Sequence, residues 1–554
     1  MQAKFPYFHW IARLSVIVLA FRLSMWSGLR GFQTYDHSII FDGGWRILCG
    51  QIPFKDFIAP LGPIAFYIQA GFFKLFGVNL LAFRLHAAVI SAVVTALAMS
   101  IVGMLAPVAG WQILLTGLVT AVWFYTPMGI PWYGPTSMLF GYLLVWGCLK
   151  GSISDCRLQI ADFKSNDGHA VASINPQSAI PNPQFLLCSL LAVLAFFTKQ
   201  NSGLLILMMP LVLIPATYPK AKQVPALLAY IFGCGIFGAL SVWLIQHYSN
   251  PDLFKLAFFD IPSGYTGSRF TIHALLSRVL LVHIVWGLGV FLLCLPALGQ
   301  QSRSGFLKRC GLPLFFYFGG LGFHAAFILT SSTAAYFSIP FLGILITLSY
   351  FIVSSALLVY PNLNFAQLNR LRRGLTSIYV IGIVLTCTLG LWLTLSGRVK
   401  GDPVQSIGAP LKITGLEGLR WTETESNPTA EDFLNTLSYL RESKKPIYVF
   451  GASNVLYGLC GQPSLQPELW LHPGLTYPSH YDEPMASIDA WMTRNLAEHP
   501  DALLVMNIPP RNWTLDLPIT WQQFDGFIKA HYVQVKEFGP YFRVFERKLQ
   551  EDKS

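Results

Sequence analysis

The sequence predicts a polytopic α-helical membrane protein of about eleven spans with a small C-terminal α/β domain. Three observations predict it. First, only 12% of the 554 residues are charged and 53% are hydrophobic. A soluble domain carries roughly 25% charged residues, and the mean hydropathy here is +0.51. Second, runs of about 20 mostly apolar residues, enough to cross the hydrocarbon, centre near residues 20, 94, 118, 142, 192, 208, 238, 287, 321, 347 and 385. Third, acid is scarce until late: no Glu precedes Glu417, and only eight Asp precede residue 400.

In chain order, the first apolar run has no small-residue cleavage signature after it and reads as a retained helix. A long polar loop follows over residues 31–84. Within it, residues 63–77 are apolar but too short to span, and suit a helix in the membrane interface. The runs near 192 and 208 lie close together and suit one broken or re-entrant segment. Residues 151–184 mix Ser, Asn, Asp, Gly and Pro and read as a flexible inner loop. Residues 247–278 mix aromatics with Gly and Pro and read as a second outer segment, a mobile flap.

The basic clusters fix the orientation. Lys220 with Lys222, Arg303 with Lys308 and Arg309, and Arg370 with Arg372 and Arg373 fall in alternate short loops. Basic loops stay in the cytoplasm, so the N-terminus is expected inside a plasma or inner membrane. The 31–84 loop and everything after residue 397 are then expected outside. The net charge of +11 is a topology signal of this kind and not a nucleic-acid footprint.

The division is therefore a transmembrane catalytic domain over 1–397 and an extracytoplasmic α/β domain over 398–554. In the latter, Phe433, Leu434, Leu437 and Leu440 have helical spacing over 429–442. Residues 447–450 and 502–506 read as buried strands, with a turn at 451–454. Residues 532–537 and 541–546 flank Gly539-Pro540 as a hairpin. Of nine Cys, only Cys49 and Cys460 are expected outside, where an oxidising compartment permits pairing.

The motifs exclude several classes. No Gly-rich phosphate loop, HExxH, CxxC pair or G-x-S-x-G occurs. His86, His283 and His324 lack metal-ligand spacing and read as structural. The chemistry falls instead in the first loop, which holds Asp36, Asp42 and Asp56, three of the eight early Asp. Carboxylates at a membrane edge cost free energy unless they act. Asp36 suits a general base for an acceptor hydroxyl; the plainer alternative is a helix cap. Asp56 beside Lys55 suits a hold on an acceptor hydroxyl and a phosphate oxygen, or a surface ion pair of little value. Lys199, followed by Gln200 and Asn201, interrupts an apolar run and suits a break lining a polar cavity, where a cation neutralises a leaving phosphate; snorkelling is its plain reading. Tyr336 is a phosphate contact or an aromatic-belt residue.

Together these segments resemble the GT-C superfamily of integral membrane glycosyltransferases, most closely the protein O-mannosyltransferase and aminoarabinose-transferase-like group. The resemblance rests on Asp36-His37, then Gly50-Gln-Ile-Pro53-Phe54-Lys55-Asp56-Phe57, then Gly62-Pro63, Leu75-Phe76-Gly77 and Phe83-Arg84-Leu85. Phe197-Thr-Lys199-Gln200 is similar to the family's mid-chain Thr-Lys motif, and Ala335-Tyr336-Phe-Ser-Ile-Pro340 to its Tyr-x-x-x-Pro segment. The resemblance implies that Asp36 is the catalytic loop Asp and Asp56 the second acidic position. It implies lipid-phosphate contacts from Lys55, Lys199, Gln200 and Tyr336. His37 stands where many members have Glu, so no metal site is carried over, and a divalent metal is left open as a cofactor.

The expected function is transfer of a sugar from a polyprenyl-phosphate donor to a lipid, glycan or protein acceptor, among membrane lipids and without nucleic acid. The alternatives are a lipid or solute transporter and a non-catalytic cell-envelope scaffold. A transporter predicts charged mid-span residues and inverted repeats, and neither is clear in the sequence.

Overall fold

The computed structural model describes residues 6–32, 34, 36–165, 183–263, 281–298, 303–330, 341–358, 364–396, 406–423, 428–451, 453–472, 476–478, 480–507 and 521–548. Helix α1 (Pro6–Ser27) leads into a short strand β1 (Arg30–Phe32), then α2 (Asp36–Leu48), α3 (Ile64–Phe76), α4 (Leu80–Leu105), α5 (Gly110–Trp123) and α6 (Tyr133–Ser165). Next come α7 (Pro183–Phe196), α8 (Gln200–Thr217), α9 (Lys220–Tyr248) and a short α10 (Pro251–Lys255) that runs into a π-turn at Leu256–Asp260. The bundle closes with α11 (Leu281–Leu298), α12 (Arg303–Thr330), α13 (Leu342–Leu357) and α14 (Phe365–Ser396).

Every predicted span centre falls in a helix. Among the described residues, 6 helices are long and apolar enough to cross a membrane: His9–Ser27, Leu80–Leu105, Gln200–Thr217, Lys220–Tyr248, Ser304–Phe327 and Phe365–Ser396. Helix α4 is the central post. Asn79 caps it by accepting from Ala82 N at 2.9 Å. It stops at Leu105 because Pro107 disfavours helical geometry in the residue before it. Helix α9 lies at the lipid side and exposes Val224, Leu228, Ile231 and Phe232. Thr116 of α5, Thr347 of α13 and Tyr379 of α14 form a hydrogen-bonded chain, at 2.7 and 2.9 Å, that ties three helices inside the bundle.

Two expectations are corrected. Helix α6 continues to Ser165, through the first part of the stretch read as a loop. Residues 157–164 carry Leu, Gln, Ile, Ala and Lys, good helix formers, and no Pro interrupts before Pro176; residues 166–182 lie outside the described residues. The second outer segment begins as helix, not flap, through α10 and the π-turn; residues 264–278 lie outside the described residues.

The C-terminal region adds β2 (Ser406–Pro410), β3 (Arg420–Glu423), α15 (Ala430–Ser443), β4 (Ile447–Phe450), α16 (Val455–Cys460), α17 (Glu483–Ala497), β5 (Leu503–Asn507), α18 (Gln522–His531), β6 (Tyr532–Phe538) and β7 (Phe542–Arg547). One sheet has the order β4-β5-β7-β6. Strands β4 and β5 are parallel and wholly buried, and β6 and β7 form the expected hairpin. Gly539 takes a φ of +55° at its turn, which an L side chain adopts at a cost.

The second sheet could not be foreseen. Its order is β1-β3-β2, and β1 from the first loop pairs with β3 in parallel, Arg30 opposite Arg420. The first loop is thus stitched into the C-terminal region. A further bridge joins Ile58 to Glu468, with Ile58 N donating to Pro467 O at 2.9 Å. The apolar core follows the same seam: Phe41, Phe66, Phe73 and Phe83 from the loop and α4 pack in one cluster with Leu419, Trp421, Phe433 and Leu437.

Candidate active site

Asp36 is the first residue of α2, four positions after β1 ends. Its backbone is held by a strand on one side and a helix on the other. The Asp36 side chain lies outside the described residues, and so does Tyr336 altogether. The rest of α2 is fixed by burial. Ile39, Ile40 and Phe41 are in the core, and His37 meets the Phe32 ring edge-on at 5.3 Å between centroids.

The Pro53–Phe57 segment is a tight turn. Phe54 N donates to Phe57 O at 2.7 Å, and Phe54 takes a φ of +59°, a left-handed geometry uncommon for a bulky residue. Neighbours hold it there. Asn250 N donates to Phe54 O at 2.9 Å, Ser249 Oγ donates to Pro53 O at 2.8 Å, and the Phe54 ring meets Phe254 and Phe258 edge-on. Asp56 accepts from Ile52 N at 2.7 Å, so its carboxylate serves the turn. Lys55 and Asp56 are both exposed, and no ion pair joins them.

Lys199 caps α8 in the three-residue break after α7. Its ammonium lies over the Phe327 ring of α12, 5.3 Å from the centroid, close to Gly134 at the start of α6. Loss of hydration there pulls its pKa down to about 8. A Cβ on Gly134 would sit 3.9 Å from Lys199 Nζ, an ordinary van der Waals contact. Tyr133, next to Gly134, is buried with its hydroxyl unpartnered.

Gln200 joins three parts of the chain. Its Nε2 donates to Pro60 O at 2.9 Å and to Phe258 O at 2.8 Å. Ile64 N reaches Phe197 O at 3.4 Å across the same seam. The structure therefore brings together the first loop, the break at Lys199 and the π-turn, which are distant in sequence. Gln200 acts here as a bracket between backbones.

One polar cluster was missed by sequence reasoning. Asp42 and Arg46, one turn apart on α2, form a fully buried ion pair at 2.7 Å. Ser464 Oγ donates to Asp42 Oδ1 at 2.5 Å, and the Arg46 guanidinium lies over the Phe57 and Tyr457 rings. Burial pushes the Asp42 carboxyl up, while Arg46 and Ser464 pull it back. Glu468 is also fully buried, with neither oxygen hydrogen-bonded, and burial raises it well above the usual range despite Arg46. The i, i+4 spacing of Asp42 and Arg46 was the available signal. Cys49 and Cys460 are free thiols. Among the described residues no group of three or more His, Cys, Asp or Glu is placed to hold a metal ion.

An all-helical bundle with 6 helices long and apolar enough to cross a membrane among the described residues, its first long loop sewn to a C-terminal α/β region, defines an integral membrane protein. No protein-family model matches the chain, and no curated protein does. Among solved structures it is similar to ArnT from Cupriavidus metallidurans in the apo state, with a TM-score of 0.51, 13% identity and 97% of each chain covered. Looser likenesses are to that protein bound to undecaprenyl phosphate (TM-score 0.44, 12% identity, 97% of each chain) and to the apo oligosaccharyltransferase of Archaeoglobus fulgidus (TM-score 0.46, 10% identity, 99% of this chain and 75% of that one). The chain has the fold of ArnT.

Proposed function

We propose that this protein is a glycosyltransferase that moves a sugar from a polyprenyl-phosphate donor to an acceptor at the extracytoplasmic face of the membrane. One observation carries the reading: Lys199, half-buried with its ammonium over the Phe327 ring, directly precedes Gln200, which joins the Pro60–Gly62 loop to the π-turn. A lipid-borne donor carries its phosphate at the membrane edge, and a poorly hydrated cation there stabilises a leaving phosphate strongly.

In the reaction, the acceptor oxygen bonds to the anomeric carbon and the bond from that carbon to the phosphate oxygen breaks. Asp36 takes the acceptor proton, and the lipid phosphate leaves with its charge met by Lys199. Tyr336 contributes a further phosphate contact, and Lys55 and Asp56 act at the rim, where the donor and acceptor enter. An acceptor that is itself a phosphate is already nucleophilic, and Asp36 then orients it. The test is transfer of a labelled sugar from a polyprenyl-phosphate donor in liposomes, together with mass spectrometry of lipids that co-purify. Recovery of polyprenyl-phosphate species and transfer to an acceptor support the reading; a donor that neither binds nor reacts overturns it.

A further inference from the structure

A cavity of about 520 Å³, with a mixed polar and apolar lining, opens where the start of α4 meets the C-terminal region. It is lined by Asn79, Leu81, Arg84, Thr414, Glu417 and Arg441 among others, and shares no residue with the Lys199 site. Arg84 is 8% exposed; its Nη1 donates to Met25 O at 2.9 Å, and its Nε is buried without a hydrogen-bond partner. Arg441 donates from Nε and Nη2 to Leu459 O, and from Nη2 to Thr414 O at 3.1 Å. Both guanidinium groups are thus held by carbonyl oxygens, and neither has an ion pair among the described residues. The single acid, Glu417, accepts from Gly415 N at 2.9 Å.

The place of the cavity matters as much as its charge. Leu80 begins a 26-residue apolar helix, so the cavity sits at the water end of a membrane span. Beside it in the chain, Leu75 is 76% exposed, Phe76 49% and Leu81 47%. Two cations with one acid, next to bare apolar side chains at that depth, match a molecule with an anionic head and hydrocarbon tails.

We propose that this cavity seats the phosphate of an anionic phospholipid, with its acyl chains along Leu81 and the end of α3. The lipid then fastens the C-terminal region to the first loop: Leu80 N already donates to Gly415 O at 2.8 Å, and Arg441 holds the same strand connection. This proposal does not depend on the transferase reading.

The full chain, purified in detergent, is titrated with phosphatidylglycerol, phosphatidylcholine or inorganic phosphate and read by native mass spectrometry and by thermal midpoint. Phosphatidylglycerol is expected to be retained at one copy and to raise the midpoint. Arg441→Gln should weaken retention at least tenfold, and Arg441→Lys should keep most of it. Because Arg441 also holds two carbonyls, Thr414→Trp provides a second variant: Thr414 is exposed, removes no cation, and its replacement fills the cavity. Equal retention by the parent, Arg441→Gln and Thr414→Trp overturns the proposal. So does an equal shift with phosphatidylcholine, which would remove the role of charge, or with inorganic phosphate alone, which would remove the lipid.

Discussion

Gly62 lies so tightly beneath Phe197 that a Cβ on it would come within 1.8 Å of the Phe197 carbonyl oxygen. The glycine is needed for contact between the first loop and the break that carries Lys199. Gly62→Ala should force the two apart. Overpacking of this kind costs about 1–3 kcal/mol, and geometry at the site should suffer more than stability. Sugar transfer should fall at least tenfold while the thermal midpoint drops by only a few degrees. Parent-level transfer in this variant would show that the seam between loop and break is irrelevant to activity.

Lys199 gives a pH prediction. With its pKa drawn down to about 8, it carries charge below that pH and loses it above. Donor affinity should therefore hold at pH 7 and decline as pH rises past 8, by about tenfold per unit once the amine is mostly neutral. Lys199→Arg should bind donor with no such decline, since the guanidinium stays charged. Lys199→Ala should bind weakly at every pH. A parent titration that is flat from pH 7 to 10 would return Lys199 to a snorkelling role.

Much of this was legible in the sequence. Apolar run length placed a helix at every span centre, because burying a helix in lipid demands about 20 apolar residues whatever the tertiary contacts. Strands β4 and β5 and the β6–β7 hairpin were legible for a similar local reason: continuous apolar runs bounded by turn residues. What escaped was non-local. Nothing near Arg30 announces a partner at Arg420, and Ser464 carries no mark of its bond to Asp42, 422 residues away. The site was half legible. Lys199 stood out because a cation in an apolar run is costly. Gln200 was expected to touch phosphate, yet its amide nitrogen is engaged by two carbonyls. Asp56 serves its own turn, which a sequence cannot distinguish from chemistry.

Asp42→Ala should be among the most destabilising substitutions in the loop. It leaves Arg46 charged, fully buried and unpaired, at a cost of about 3–5 kcal/mol. Ser464→Ala removes one hydrogen bond to a charged group and should cost about 1.5–3 kcal/mol. Both are read by denaturation in mild detergent. Loss of less than 1 kcal/mol in Asp42→Ala would mean that the loop and the C-terminal region are not held by this pair.

Glu468 should make stability depend on pH. Its native pKa is raised above the ordinary value of 4.5, by burial first. A carboxyl raised in this way binds its proton more tightly in the folded state. The stability it contributes is full below the unfolded value and is lost as pH rises through the native one. Glu468→Gln should abolish that slope, about 1.4 kcal/mol per pH unit within the window. The variant should match the parent near pH 5 and be the more stable at pH 8. A parent and variant with the same slope would show that Glu468 is hydrated or paired in solution.

The account centres on Asp36, at the first turn of α2 between a strand and the buried helix core. The measurement is sugar transfer from a polyprenyl-phosphate donor by Asp36→Asn, with donor binding and thermal stability taken on the same preparation. Loss of a general base should lower turnover about a hundredfold to ten-thousandfold, with donor affinity and midpoint close to the parent. An Asp36→Asn protein that is stable, binds donor and transfers sugar at the parent rate would contradict the account.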